Sequence, residues 1–336
     1  MTHPAFPATL KSMEKNNGPL PDLPETLMEA IRRFTDPDVS LAFAASAKWP
    51  HGPDCPRCGM NGPMFLKTRR LWKCRECKKQ FSVKIGTIFE DSPIPLDKWM
   101  TAVWMLVNAK NGISSYEVGR ALGVSQSCAW FMGHRIRLAL QDHPTLKLGG
   151  DVEVDETFIG GKARFMHKDR RARVIKGTGG MGKSAVMGLL ERHGPDGHSR
   201  VRVKHVANVR RKTLAPEVQQ QVETGANIYS DALKSYEGLA TAYTHRVIDH
   251  AEAYVRGKVH TNGMENFWSL VKRALKGTYV SVEPFHLFRY LDEQSFRFNT
   301  RKLTDALRFI RALRAIVGKR LSYEQLTGTA PIIATT

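Results

Sequence analysis

At 336 residues the chain is long enough for about two domains with their own cores, and 42% hydrophobic with 25% charged residues describes a folded protein rather than a disordered one. No apolar run is long enough to span a bilayer and no basic-then-apolar signal opens the chain, so membrane and secreted classes drop out and a cytoplasmic location is expected. Fifty-one Lys and Arg against 32 Asp and Glu leave a net charge of +19, and with no basic amphipathic helix in view the expected polyanionic partner is nucleic acid.

Residues 1–24 carry Pro4, Pro7, Pro19, Pro21 and Pro24 without an apolar period and read as a mobile leader. The segments Pro24 to Phe34 and Asp36 to Trp49 have helical patterns. Cys55-Pro-Arg-Cys58 and Cys74-Arg-Glu-Cys77 follow, two C-x2-C pairs with fifteen residues between them. That spacing predicts a zinc site of Cys55, Cys58, Cys74 and Cys77, each pair on a tight knuckle aiming two thiolates at one tetrahedral ion. Disulfides do not suit a chain without an export signal, and a redox C-x2-C does not explain two pairs. Around the pairs lie Lys67, Arg69, Arg70, Lys73, Arg75, Lys78, Lys79 and Lys84, opposed only by Glu76, which reads as a phosphate-binding surface. Cys128 stands outside the pattern and is expected to be a buried thiol. Residues 25–90 thus form N-terminal helices and a zinc ribbon.

Within 91–145, Pro95 to Val107 reads as a buried helix. Ser114 to Leu122, a turn at Gly123, and Gln126 to Arg137 then give helix-turn-helix grammar, with Ser125 or Ser127 able to cap the second helix. A plain helical hairpin without DNA contact is the alternative.

From 151 the pattern changes to period two. In Asp151-Val-Glu-Val-Asp155, the carboxylates of Asp151, Glu153 and Asp155 share one face of a strand and Val152 and Val154 the other. Carboxylates on a core strand need a cation or a basic partner, or else the strand lies at an edge with a solvated face. A basic loop over 162–176 leads to strands at Ser184–Glu191 and Arg200–Val206, joined through a turn at Gly194–Gly197. A helix over 213–222, a strand ending Tyr229-Ser-Asp231, a helix over 236–243 and a short strand over 245–249 complete the order. This order predicts an α/β layer fold of the ribonuclease H-like type over 146–300. Gly177 to Ser184 satisfies the P-loop expression G-x4-G-K-[ST]. Its context is wrong, because a charged segment precedes it and a strand follows where a helix is required. Around Glu265, Met264, Phe267, Trp268, Val271 and Leu275 make a core stripe at helical spacing, while Asn262, Glu265, Ser269 and Lys272 line another face. Acids on two strands and a helix, far apart in sequence, are what a divalent-metal phosphoryl-transfer site requires. Apolar-rich helices over 283–298 and 303–316 are expected to pack on this catalytic layer, and 301–336 reads as a C-terminal helix and tail.

The order of these motifs resembles the DDE transposases of bacterial insertion sequences, in particular the ISXO-type group with an N-terminal zinc ribbon. The matching segments are Trp49 to Gly59, Trp72 to Cys77, Phe81 to Thr87, Val154 to Lys162, His260 to Arg273 and Arg289 to Asn299, spread over residues 36–302. The resemblance implies binding of double-stranded element-end and target DNA, metal-dependent cleavage, strand transfer, and a homo-oligomer on DNA at the nucleoid. It assigns Asp155 and Asp231 as the first two acids and Glu265, followed seven residues later by Lys272, as the third. Asn262 is the other candidate for that third place. The ions implied are Mg²⁺ or Mn²⁺ at the acids, with Zn²⁺ at the cysteines. The rival reading is a non-catalytic zinc-ribbon and helix-turn-helix regulator derived from a transposase.

Overall fold

The computed structural model describes residues 23–142, 146–161, 166–175, 182–194, 196–231, 243–248 and 260–329. The mobile leader, the helix read over 236–243 and most of the P-loop-like segment lie outside them. The described residues form two compact units, one within 142–299 and one combining 23–141 with 300–329.

In the second of these units, helices α1 (Leu27–Phe34) and α2 (Pro37–Lys48) begin on caps that their sequences supply. The Thr26 hydroxyl accepts from the Glu29 N–H, and the Asp36 carboxylate accepts from Asp38 and Val39, with Pro37 in the first turn where it removes no helical bond. A three-stranded antiparallel ribbon follows: β1 (Met64–Leu66), β2 (Leu71–Lys73) and β3 (Gln80–Phe81). Next come α3 (Leu96–Asn108), α4 (Ser115–Leu122) and α5 (Gln126–Leu140). Ser114 and Glu117 close a full capping box on α4, Gly123 takes the left-handed conformation that ends it, and Ser125 caps α5.

The helix-turn-helix is therefore present as geometry, yet α5 is mostly interior. Its Met132, His134, Arg135, Ile136 and Arg137 are all buried. Arg135 donates to the carbonyls of Ile88, Glu90 and Leu321. Cys128, expected to be buried, is only half-buried.

The C-terminal elements α10 (Asp305–Arg314) and α11 (Tyr323–Thr327) complete this same unit. The expectation that the helix over 303–316 packs on the catalytic layer is thus corrected. Phe309, fully buried, sits 5.2–6.2 Å centroid to centroid from Phe34, Phe43 and Trp104. Val317 bridges to Thr87, Gly318 donates to the Gly86 carbonyl, and Lys319 reaches the carbonyls of Ala139 and Gln141.

The other unit is built on a five-stranded mixed sheet. Strands β4 (Asp151–Ile159), β5 (Ser184–Glu191) and β6 (Arg200–Val206) form an antiparallel meander, and β7 (Asn227–Asp231) and β8 (Thr244–Ile248) add in parallel beyond β4. The strand order is β6-β5-β4-β7-β8. The segment read as a basic loop contains a short helix, α6 (Lys168–Val174). Strand β5 follows the P-loop-like glycines, which removes the helix that a nucleotide site needs.

One sheet face packs Val152, Val154, Met187, Leu189 and Ile228 against Leu214 and Val218 of α7 (Arg211–Gln221). The opposite face packs Val186, Leu190 and Val201 against α8 (Asn262–Ala274) and α9 (Leu287–Asn299). The last residue of α9 closes a sheet edge: the Asn299 amide accepts from the Val201 N–H at 2.8 Å and donates to the Val201 carbonyl at 2.9 Å.

Because Phe309 fills the aromatic cluster of the N-terminal helices, Phe309→Ala should destabilise that unit by about 3–5 kcal/mol. A fragment ending at 141 should unfold at far lower urea than one in which 23–141 is joined to 300–329. Urea titration followed by tryptophan fluorescence measures both.

Candidate functional site

Two candidate centres emerge, one in each unit. In the ribbon, each cysteine pair sits on a knuckle folded by backbone bonds. Cys55 N–H donates to the Met60 carbonyl, Gly59 N–H to the Cys55 carbonyl, and Cys74 N–H to the Lys79 carbonyl. Gly59 and Lys78 take positive φ, at 72° and 59°, to make the two reversals. The four sulfurs all lie within 4.8 Å of one another, with Cys55 to Cys77 at 3.7 Å and Cys58 to Cys74 at 3.5 Å. Sulfurs held about 2.3 Å from one tetrahedral ion would stand about 3.8 Å apart, so the donor set and its spacing fit zinc. Backbone N–H groups of Cys58 and Arg57 help lower the Cys55 thiol to about 6. Cys58 moves the other way, to about 11, because its crowded thiol neighbours outweigh the Met60 N–H. Four thiols this close share negative charge poorly until a cation takes it.

Some of the basic residues around the ribbon are already engaged. Arg70 pairs with Asp38 at 2.6 Å. Lys84 donates to the carbonyls of Ser92 and Ile94, and burial lowers its pKa. Lys67, Arg69, Arg75, Lys78 and Lys79 remain exposed.

In the other unit, the alternation predicted for β4 holds. Val152 and Val154 are fully buried on one face, and the three carboxylates divide on the other. Asp151 accepts from the Asn227 amide at 2.8 Å and the Tyr229 hydroxyl at 3.1 Å. Glu153, 1% exposed, pairs with the Arg192 guanidinium at 2.8 Å. Its second oxygen accepts the Met264 N–H, also at 2.8 Å, in the first turn of α8. Asp155 is half-buried; one oxygen accepts the Glu156 N–H and the other the Trp268 indole N–H at 3.0 Å.

Strand register locates the Asp231 position. β4 and β7 run parallel with Val154 beside Ser230, so the next position on each strand is Asp155 and Asp231. The third element, α8, buries Met264, Phe267, Trp268 and Val271 as its stripe predicted and exposes Asn262, Glu265, Ser269 and Lys272.

Sequence reasoning missed how α8 gets so close to the sheet. Gly188, paired with Asp155 across the antiparallel ladder, carries no side chain; a Cβ there would stand 2.1 Å from Met264 Cε and 2.6 Å from the Trp268 ring. A Cβ on Gly263 would stand 2.9 Å from a Glu153 oxygen. Both glycines are legible in sequence only as residues inside regular elements, where glycine often marks a close approach.

Comparison with known families finds a domain match in each unit, and the class is that of transposases. Residues 147–299 match the ISXO2-like transposase domain, and 37–80 match the transposase zinc-ribbon domain. The chain thus carries an ISXO2-like transposase domain and, before it, a transposase zinc-ribbon domain. It is 28% identical over 260 residues to an uncharacterized protein in transposable element ISH50 of Halobacterium salinarum, covering 74% of this chain and 86% of that one. It is also 28% identical over 109 residues to an uncharacterized transposase-like protein of Haemophilus influenzae, covering 32% of this chain and 88% of the relative. No helix among the described residues is long and apolar enough to cross a membrane.

Purified protein is expected to carry one zinc per chain by elemental analysis. Chelation or Cys74→Ser should release it and lower the thermal midpoint of the ribbon-bearing unit; full-strength folding without metal would count against the site.

Proposed function

We propose that this protein binds the ends of its element as double-stranded DNA, cleaves them, and joins them to target DNA by metal-dependent phosphoryl transfer. The observation that carries the reading is the register of β4 with β7, which sets Asp155 beside the Asp231 position under a helix bearing Glu265. A meander of three antiparallel strands extended by two parallel ones, with helices on both faces, supports a ribonuclease H-like assignment for this unit.

Asp155, Asp231 and Glu265 would hold Mg²⁺ or Mn²⁺, since hard cations take carboxylate oxygens while the four thiolates suit zinc. When bound, such ions polarise the scissile phosphate and activate a water or a 3′-hydroxyl. The chain's own residues do the arranging. Trp268 and the Glu156 N–H orient the Asp155 carboxylate. Glu265 and Asn262 are on the solvent-exposed side of α8, and Lys272, two turns beyond Glu265, contacts a DNA phosphate. A carboxylate binds a hard cation better than a neutral amide, so Glu265 is assigned as third ligand and Asn262 as an auxiliary ligand or a substrate positioner.

The exposed lysines and arginines of the ribbon supply phosphate contacts, and their binding weakens steeply with salt. Pairing two element ends implies a homo-oligomer on DNA, working in the cytoplasm at the nucleoid.

Asp155→Asn, Asp231→Asn and Glu265→Gln should each reduce cleavage and strand transfer to background while leaving DNA affinity within about twofold, because removing one carboxylate changes the reacting centre and not the phosphate contacts. Asn262→Ala should be milder. An active Glu265→Gln beside a dead Asn262→Ala would move the third position to Asn262, whereas activity in all four variants would end the catalytic reading.

A further inference from the structure

Helix α8 carries the third acid, but its own sequence does not anchor its first turn. The N-cap residue, Thr261, makes no side-chain bond to the helix. The first N–H groups of any helix lack internal partners and sit at the positive end of its dipole. Here a carboxylate from another element fills that role: Glu153 on β4 accepts the Met264 N–H. One turn further along, Trp268 reaches back to the same strand and donates to Asp155. Two bonds about a helical turn apart, made to residues two apart on one strand, fix both the axial position and the rotation of a rod. Gly263 and Gly188 leave the space that each bond requires.

We propose that Glu153, Arg192 and Trp268 are positioning residues that set Glu265 and Asp155 in register for divalent-metal binding. The inference rests on the catalytic reading above and adds Glu153 and Arg192, which that reading does not use. Glu153 is not itself a ligand: it is 1% exposed, and its two oxygens are taken by Arg192 and by Met264. Arg192 supplies the charge that compensates this buried carboxylate, and it is tied in turn. Its guanidinium lies 4.2 Å over the Tyr229 ring, 3.1 Å from His260 Nδ1, and donates to the His260 carbonyl just before α8 begins. Metal sites tolerate misplacement of only about 0.5 Å, so an error in the seating of α8 reads out as lost metal affinity.

The test uses full-length, zinc-loaded protein and Mn²⁺ alone as probe, with binding read from the electron paramagnetic resonance signal of free Mn²⁺ and folding from circular-dichroism melting. Wild type, Asp155→Asn, Glu153→Gln and Trp268→Phe are compared at a temperature where each is folded. Asp155→Asn is expected to lose the site. Glu153→Gln, which keeps an oxygen for Met264 but breaks the ion pair, and Trp268→Phe, which deletes the indole N–H, should each weaken Mn²⁺ binding tenfold or more. A purely structural role would lower the melting temperature and leave the Mn²⁺ affinity of the folded protein unchanged, and that result overturns the inference alone. If Asp155→Asn binds as wild type does, or wild type binds nothing, the catalytic-metal reading fails and this inference with it. Should Glu153→Gln not fold, Trp268→Phe decides by the same two outcomes.

Discussion

A carboxylate removed from water stays charged only if a cation and hydrogen bonds replace the solvent it lost. Glu153 meets that condition with Arg192 on one oxygen and the start of α8 on the other, and the arrangement of the sheet-bearing unit follows from it. Without the Glu153 side chain, the Met264 N–H in the first turn of α8 loses the oxygen it donates to. Without that seating, the Trp268 indole does not meet Asp155, and the exposed acid on α8 loses its relation to the acids on the strands. Three carboxylates at alternate positions of one strand therefore do three different things. Asp151 braces β7, Glu153 anchors a helix, and Asp155, half-buried, takes the Trp268 indole.

Much of this was legible in residues that carry their own periodicity. The cysteine spacing located the ribbon because a knuckle is local and a four-sulfur site needs only two of them. The alternation in β4 located the acid face, and the stripe of Met264, Phe267, Trp268 and Val271 set which side of α8 turns outward. What stayed hidden was partnership across distance. Nothing near Glu153 in sequence names Arg192, and nothing in the aromatic stripe separates Trp268, which also donates a hydrogen bond, from Phe267, which only fills space. Gly188, inside a regular strand, is the opening through which α8 approaches.

The helical unit shows the same limit in another form. Amphipathic patterns state that a helix buries a face, and α10 does so, but they do not state against what. Proximity in sequence pointed to the catalytic layer, whereas the vacancy beside Phe34, Phe43 and Trp104 is shaped for Phe309. For α5 the turn grammar was right, and burial of its basic side chains was invisible because Arg135 spends its charge on three carbonyls of two distant segments.

That closure also imposes an order in time. During synthesis, the strands and helices of 146–299 leave the ribosome while the helical unit still lacks the pieces after 300 that complete its core. Domains generally fold as units while the chain emerges. The sheet-bearing unit can therefore reach its native packing first, and the ribbon-bearing unit, although made earlier, must wait for the last helices. Until then its unfilled aromatic face is exposed, so the nascent chain carries an apolar liability in the part translated first.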